Sequence, residues 1–396
     1  MAILASPMKA SSNMSKKKIL TVIGARPQII KAAAISRAIQ QRFQHELSEL
    51  IVHTGQHYDS NMSDVFFSEL GIPAPHANLN VGSGSHGTMT AEMLAGLEAL
   101  ILKEKPTAVV VYGDTNSTIA AALAAAKIHV PVVHIEAGLR SFHKAMPEEL
   151  NRIASDHMST LLFVPTQAGI DNLVREGFSL STSHQATIDA PHVYHCGDVM
   201  YDNSLYFSTV SDQKSRILER LGLHSNHYVL CTIHRDSNTD DPQKLIGILE
   251  ALQTIENQHK LAIVLPIHPR TRKMIEQLKE EASVDAFLAN PQIHCIEPAG
   301  FLDIIALEKH ARLIVTDSGG LQKEAFFFQK PCVILREQTE WIEIVENGNA
   351  QLCGADTQRI CNAATALLEK TDFSYPPLFG DGHAAEFICQ KICAEL

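Results

Sequence analysis

The chain has 396 residues, 45% of them hydrophobic and 19% charged, too long for one ordinary core and suited to two globular domains. Its 33 Lys and Arg against 44 Asp and Glu leave a formal net charge of −11, which argues against a nucleic-acid backbone as main partner but allows a local basic pocket for a small anion. No stretch approaches the roughly 18 uncharged apolar residues of a membrane span, and the eight cysteines, all at or beyond Cys196 and without a CxxC pair, read as buried, reduced thiols of a cytoplasmic protein.

Residues 1–16 lack a continuous apolar run and are expected to form a disordered extension. Beyond them, short runs rich in Val and Ile alternate with amphipathic segments, the pattern of a parallel sheet covered on both faces. Strands are expected at 19–23, 50–53, 108–112, 132–136 and 161–164, with helices at 29–42, 90–103 and 117–127. The polar segment 181–191 breaks this rhythm and sets a domain boundary at 190/191. A second alternation then places strands at 228–232, 262–266, 293–296, 313–316 and 332–335. Two consecutive doubly wound units imply an α/β protein of two Rossmann-like domains facing across a cleft.

In such folds ligands gather beyond the carboxyl ends of the strands, and the polar motifs fall there. VIGARPQIIK, residues 22–31, reads as an anion site at a helix start with Arg26 and Lys31 beside it, or as an ordinary strand-to-helix turn. VVVYGDTNST, 109–118, puts Asp114 either in a reaction site or in a helix cap. HIEAGLRSFHKAMPEELNR, 134–152, delivers Glu136 at a strand tip and Glu148, Glu149 and Arg152 at a helix start. There acidic side chains also favour the helix dipole, and Glu148 and Arg152 stand at i, i+4. The preferred reading is that Asp114, Glu136 and Glu148 converge, with repulsion raising at least one carboxyl pKa. LCTIHRDSN, 230–238, offers His234 and Arg235 for gripping a phosphate or protonating a leaving oxygen, against the alternative of a core histidine.

PIHPRT, 266–271, repeats that theme with His268 and Arg270, with a turn carrying a surface arginine as the stronger alternative. TDSGGLQKEA, 316–325, supplies bare backbone at Ser318, Gly319 and Gly320 for a pyrophosphate and Glu324 for ribose hydroxyls. Without HExxH, GxSxG or GxxxxGKS, neither a metal site, a serine hydrolase nor a P-loop NTPase is expected.

The ordered series GARPQIIK, TGQHYD, YGDTNST, HIEAGLR, PEELNR, GDVMYD, TIHR, TDSGGLQKEA, LREQTE and FGDG resembles the non-hydrolysing UDP-N-acetylglucosamine 2-epimerase family from about residue 17 onward. The resemblance implies the GT-B type of two-domain fold, with 17–190 and a returning helix in 380–396 as one domain and 191–379 as the UDP-binding domain. It implies Asp114, Glu136, Glu148 and His234 as catalytic positions, and Arg26, Lys31, Ser318, Gly319, Gly320 and Glu324 as UDP-holding ones. The candidate UDP- and substrate-binding set also includes Arg152, Arg235, His268, Arg270, Gln322 and Arg336.

The implied reaction is reversible 2-epimerisation of UDP-N-acetylglucosamine to UDP-N-acetylmannosamine, by elimination and re-addition of UDP. No cofactor is expected, and the partner implied besides the UDP-sugar is a second copy of the chain. The sequence departs from the family pattern at HRDSN, where Ser237 replaces a common glutamate, and at TEWIE, with Trp341 and Ile342. GARPQ, NVGSGSHG, GDVMYD and TEW resemble a branch that includes 2-epimerases of UDP-diacetamido uronic acids. The match around TGQHYD and NVGSGSHG to the regulatory substrate site of some members is incomplete, so activation by substrate is not expected. Remaining alternatives are a hydrolysing epimerase, a GT-B glycosyltransferase and a catalytically silent nucleotide-sugar-binding regulator.

Overall fold

Buried β-branched runs build two separate sheets. In the computed structural model, which describes residues 16–55, 67 and 70–396, the first sheet contains β1 (Lys17–Ile23), β2 (Leu47–His53), β3 (Ala77–Asn78), β4 (Ala108–Tyr112), β5 (Val132–Ile135), β6 (Leu161–Val164) and β7 (His192–His195). Its order is β3-β2-β1-β4-β5-β6-β7. The second contains β8 (Tyr228–Thr232), β9 (Ala262–Pro266), β10 (Ile293–Ile296), β11 (Leu313–Thr316), β12 (Cys332–Ile334) and β13 (Ala350–Leu352), in the order β10-β9-β8-β11-β12-β13. Every pairing between these strands is parallel. Both orders reverse direction beside a central strand, β1 or β8, which opens a crevice at the carboxyl ends. Residues 1–15 of the expected extension and most of TGQHYD lie outside the described residues.

Three strands escape sequence patterning because they are short or interrupted by polar residues: β3, β7 and β13. Of these β7 matters most. It pairs with β6 as the outer strand of the first sheet, so the boundary expected at 190/191 falls before that sheet is complete. The helix expected at 29–42 begins earlier, at Arg26, and runs to Ala38 before a π-helical turn at Ile39–Phe43. Gln28 explains the early start. Its Oε1 accepts from the backbone N–H groups of Gly24 and Ala25 at 2.9 and 3.2 Å, while its Nε2 donates to the Tyr112 carbonyl at 2.9 Å. One side chain thus caps the helix and ties the β1 and β4 turns together.

The helix Asn116–Lys127 buries Ala120, Ala121, Ala122, Ala124 and Ala125 against Met93, Leu97 and the outer faces of β1 and β4. Alanine allows this close approach without side-chain entropy loss. Five cysteines, Cys231, Cys332, Cys353, Cys361 and Cys389, are buried free thiols, but Cys295 is exposed. Among the described residues no helix is long and apolar enough to cross a membrane.

The chain crosses between the sheets twice. After β7 it passes Gly197 and Asp198 into the helix Val199–Lys214, and near the end it returns through Phe379 and Gly380 to the helix Ala384–Glu395. Ala384, Ala385, Ile388, Cys389 and Ile392 of that last helix join the core of the first sheet, and the Tyr194 hydroxyl donates to Glu395 at 2.6 Å. The two crossings touch. Gly197 and Gly380 both have positive φ, 81° and 84°, and a Cβ on Gly197 would lie 2.8 Å from the Phe379 carbonyl oxygen. Asp198 N–H donates to that same oxygen at 3.0 Å. Gly197→Ala is therefore expected to cost about 1–3 kcal/mol through left-handed strain plus a backbone clash, read as a lower denaturant midpoint; an unchanged midpoint would refute the close crossing.

Candidate active site

The carboxyl ends of both sheets face a cavity of about 680 Å³ whose walls include Arg26, Lys31, Asp114, Glu136, Glu148, Arg152, His234, Arg235, Ser318, Gly319, Gly320 and Glu324. All four expected catalytic positions and eight of the expected binding positions therefore meet at one place. The other four do not line it. His268 caps its own helix by accepting from Arg270 N–H at 3.4 Å, and Arg270 forms surface pairs with Asp236 and Asp240 at 2.5 Å each. Gln322 is buried behind the wall, accepting from Thr339 Oγ1 at 2.5 Å. Arg336 lines an adjoining hollow of about 420 Å³ and grips Glu340 through two bonds of 2.9 Å. Strand-end spacing alone does not reveal which way these side chains turn.

Glu136 is the tightest element. It follows β5 with φ 71°, a left-handed conformation uncommon outside glycine, and is nearly buried. Its backbone N–H and that of Ala137 both bond to the Phe163 carbonyl at 3.0 Å, which holds the turn. One carboxylate oxygen pairs with Lys31 and the other lies 3.3 Å from Lys323 Nζ. Gly113 leaves room for this pair, since a Cβ there would lie 3.2 Å from the Glu136 carboxylate and 3.3 Å from the Lys31 ammonium. Burial alone would raise this carboxyl, but the Lys31 and Lys323 ammonium groups outweigh it and hold it at about 2.

Asp114 occupies the turn after β4 but does not cap the next helix, because Thr115 does so. Arg152 Nη2 reaches its Oδ2 at 2.6 Å, and Arg152 Nη1 holds Glu149 at 2.9 Å. The expected Glu148 to Arg152 partnership is thus corrected: Arg152 orients Asp114. The buried Glu149 also accepts from the N–H groups of Ser141 and Phe142 at 2.8 and 2.9 Å, pinning the loop that leads into the helix Pro147–His157. Glu148, next to it, stays exposed at the cavity rim because the opposite helix face carries the buried stripe. Burial raises the Asp114 carboxyl, against the pull of Arg152 and Lys31 and with help from the Glu136 charge.

Several supporting groups lie within or beside the motifs without being candidate site residues themselves. His134 places Nδ1 2.7 Å from Asp156 and Nε2 2.8 Å from the Gly113 carbonyl, so both ring nitrogens meet oxygen acceptors. Arg140 reaches the second Asp156 oxygen at 2.8 Å, and Gly138 N–H donates to it at 3.1 Å. This buried network fixes the turn that carries Glu136. Across the cavity the fully buried Asp317 accepts from the backbone N–H groups of His234 and Arg235 at 3.0 Å and faces His234 Nδ1 at 3.0 Å. His234 remains 44% exposed toward the cavity, with Nε2 the nitrogen available to a ligand. Ser318 caps the helix Gly319–Phe327, whose first N–H groups open on the cavity. Burial pushes Glu324 up to about 7, despite the nearby Lys323.

Glu136 makes stability depend on acid in a defined direction. A carboxyl depressed on folding contributes stability that is present above its ordinary value, near 4.5, and lost as the pH falls through about 2. Glu136→Gln is therefore expected to melt lower than wild type at neutral pH, with the gap closing as the pH falls from 4.5 toward 2. A gap that stays constant with pH would contradict the two-lysine seat.

A sequence profile described as UDP-N-acetylglucosamine 2-epimerase matches residues 38–393. A UDP-2,3-diacetamido-2,3-dideoxy-D-glucuronate 2-epimerase from Pseudomonas aeruginosa is 49% identical over 376 residues, covering 95% of this chain and 99% of that protein. The crystal structure of Methanocaldococcus jannaschii UDP-GlcNAc 2-epimerase in complex with UDP-GlcNAc and UDP is 39% identical, with a TM-score of 0.80 over 95% of this chain and 99% of that one. A trehalose 6-phosphate synthase from Burkholderia multivorans, at 12% identity and a TM-score of 0.54, shares the GT-B fold alone. By the profile, the relatives and the ordered motifs, the chain belongs to the UDP-N-acetylglucosamine 2-epimerase family.

Proposed function

We propose that the protein catalyses reversible 2-epimerisation of UDP-N-acetylglucosamine to UDP-N-acetylmannosamine without releasing free sugar. The observation that carries this reading is the pairing of two unlike carboxyl environments, Asp114 and Glu136, with a cation-rich wall and a glycine helix start in one cavity. The C2 hydrogen is scarcely acidic, so inversion proceeds through elimination. The C2–H bond breaks with its proton passing to a carboxylate, the C1–O bond breaks with its electron pair leaving on the β-phosphate, and a glycal forms. A proton then returns to the opposite face of C2 and UDP re-adds at C1.

Glu136, ionised between two lysines, is in the form that can accept a proton, and a diphosphate drawing Lys31 away would raise its basicity toward what a base needs. Asp114, raised by burial and oriented by Arg152, suits the group that carries a proton to the other face. Arg26, Lys31, Arg235 and the backbone at Ser318, Gly319 and Gly320 are placed to hold departing UDP, and Glu324 to accept from ribose hydroxyls. His234, backed by Asp317, faces the same space.

The 49% identical relative favours a second substrate for the same chemistry, a UDP-2,3-diacetamido uronic acid. Either product would feed surface-polysaccharide synthesis. A homodimer in the cytoplasm completes the reading and rests on the resemblance; light scattering on the purified chain tests the dimer.

Incubation with UDP-N-acetylglucosamine in deuterated water, without acceptor, is expected to place deuterium at C2 with the UDP bond retained. Release of free sugar would indicate hydrolysis, and no exchange with that donor or its diacetamido uronate analogue would sink the epimerase reading. Asp114→Asn and Glu136→Gln should each slow exchange by roughly 100-fold or more while UDP still binds. Full turnover in both would remove the carboxylates from the mechanism.

A further inference from the structure

Lys323 lies on the helix Gly319–Phe327 of the second sheet's domain, yet both carboxylates its ammonium meets come from outside that sheet and its helices. It is almost fully buried, 2.5 Å from Asp198 Oδ2 and 3.3 Å from Glu136 Oε1, and it sits 4.1 Å from the centre of the Trp341 ring. A buried lysine is costly unless every donor is met, and a merely packing role would be filled more cheaply by an apolar side chain. Asp198 is likewise committed on every side. Its Oδ1 accepts from Met200 N–H at 2.8 Å, and its own N–H donates to Phe379, so it is bonded to both chain crossings between the domains. It also directly follows Gly197, where those crossings touch.

The contacts therefore run unbroken from the paired crossings to the candidate site: Gly197, Asp198, Lys323, Glu136. Glu136 belongs to the first domain and Lys323 to the second, so their contact spans the cleft. We propose that Lys323 is a positioning residue that couples the paired crossings to Glu136, holding that carboxylate in its working orientation through a contact made only while the two domains meet as they do here. This rests on the epimerase reading of the site.

The second Glu136 partner, Lys31, lies among the groups placed to hold the pyrophosphate, so a bound substrate competes for it. Lys323, anchored by Asp198, is the cation that stays. The charged groups facing Glu136 are Lys31 from the helix Arg26–Ala38, Lys323 from Gly319–Phe327, Arg152 from Pro147–His157 and Asp114 from the turn after β4, with Asp198 one contact further. Removing Lys323 leaves Lys31 and the more distant Arg152 as the cations opposing the effect of burial on this carboxyl.

The experiment compares C2 deuterium exchange, kcat and KM across pH for wild type, Lys323→Met and Asp198→Asn. Lys323→Met is expected to lower kcat by roughly 100-fold through loss of alignment, with KM and calorimetric UDP affinity little changed. The acid limb of its kcat profile should move up by about one pH unit or more. Asp198→Asn should shift the limb in the same direction by less. An acid limb at the wild-type position in Lys323→Met overturns the proposal, whatever happens to kcat or melting temperature, and if that variant does not fold the limb of Asp198→Asn decides alone.

Absence of exchange in the wild type would instead overturn the functional reading. The coupling is then read without turnover, from the melting temperatures of Lys323→Met, Glu136→Gln and the double variant. Non-additive shifts support the coupling and additive shifts refute it.

Discussion

The active-site architecture depends on one constraint: two carboxylates, Glu136 and Asp198, and two ammonium groups, Lys31 and Lys323, share a volume with little access to water. Buried charge of this density is tolerable only when it balances and when each donor meets an acceptor. Here the charges balance, because Glu136 lies between the lysines and Asp198 takes up the outer side of Lys323. The neighbouring backbone is shaped to permit it. Gly113 has no side chain where the Glu136 and Lys31 head groups meet, and Glu136 accepts a left-handed backbone to bring its carboxylate to the cleft.

That arrangement gives the carboxyl groups different electrostatic environments. Simple repulsion within a cluster would raise one pKa at the expense of another. Here the groups diverge because their charged neighbours differ: Glu136 has two close ammonium partners that outweigh its burial, whereas for Asp114 burial and the Glu136 charge outweigh Arg152 and the pull of Lys31. Glu148, exposed at the rim, shares neither environment. A site that must take a proton from one face of a sugar and return it to the other needs such a difference. The second domain uses the same device, since the buried Asp317 holds the backbone N–H groups of His234 and Arg235 and also faces His234 Nδ1, while both residues still line the cavity.

The elements most legible in the sequence were those whose pattern is local. Runs such as Ala108–Tyr112 and Leu313–Thr316 are apolar throughout and bounded by turn residues, so their strand state follows from burial on both faces. Two- and three-residue strands such as β3 and β13 carry too little periodicity to be distinguished from loop. β7 hides behind its terminal histidines, and for that reason the boundary expected from the sequence falls one strand before the end of the first sheet. Most of the strand-end motifs line one cavity, because in a doubly wound sheet the strand termini all point to one edge.

By itself the sequence determined two α/β units, the family, and the set of polar residues delivered to the cleft, because alternation of buried strands and helices leaves few topologies and the ordered motifs are specific together. Tertiary structure alone decided which of those residues face the cavity and with whom they pair. Arg152 serves Asp114 and Glu149 instead of Glu148, Arg270 turns to surface aspartates, and Lys323, from a motif read for its glycines, reaches across the domains to Glu136. Such pairings join residues up to 187 positions apart, and electrostatic partnership depends on distance in space and on burial, neither of which chain spacing encodes.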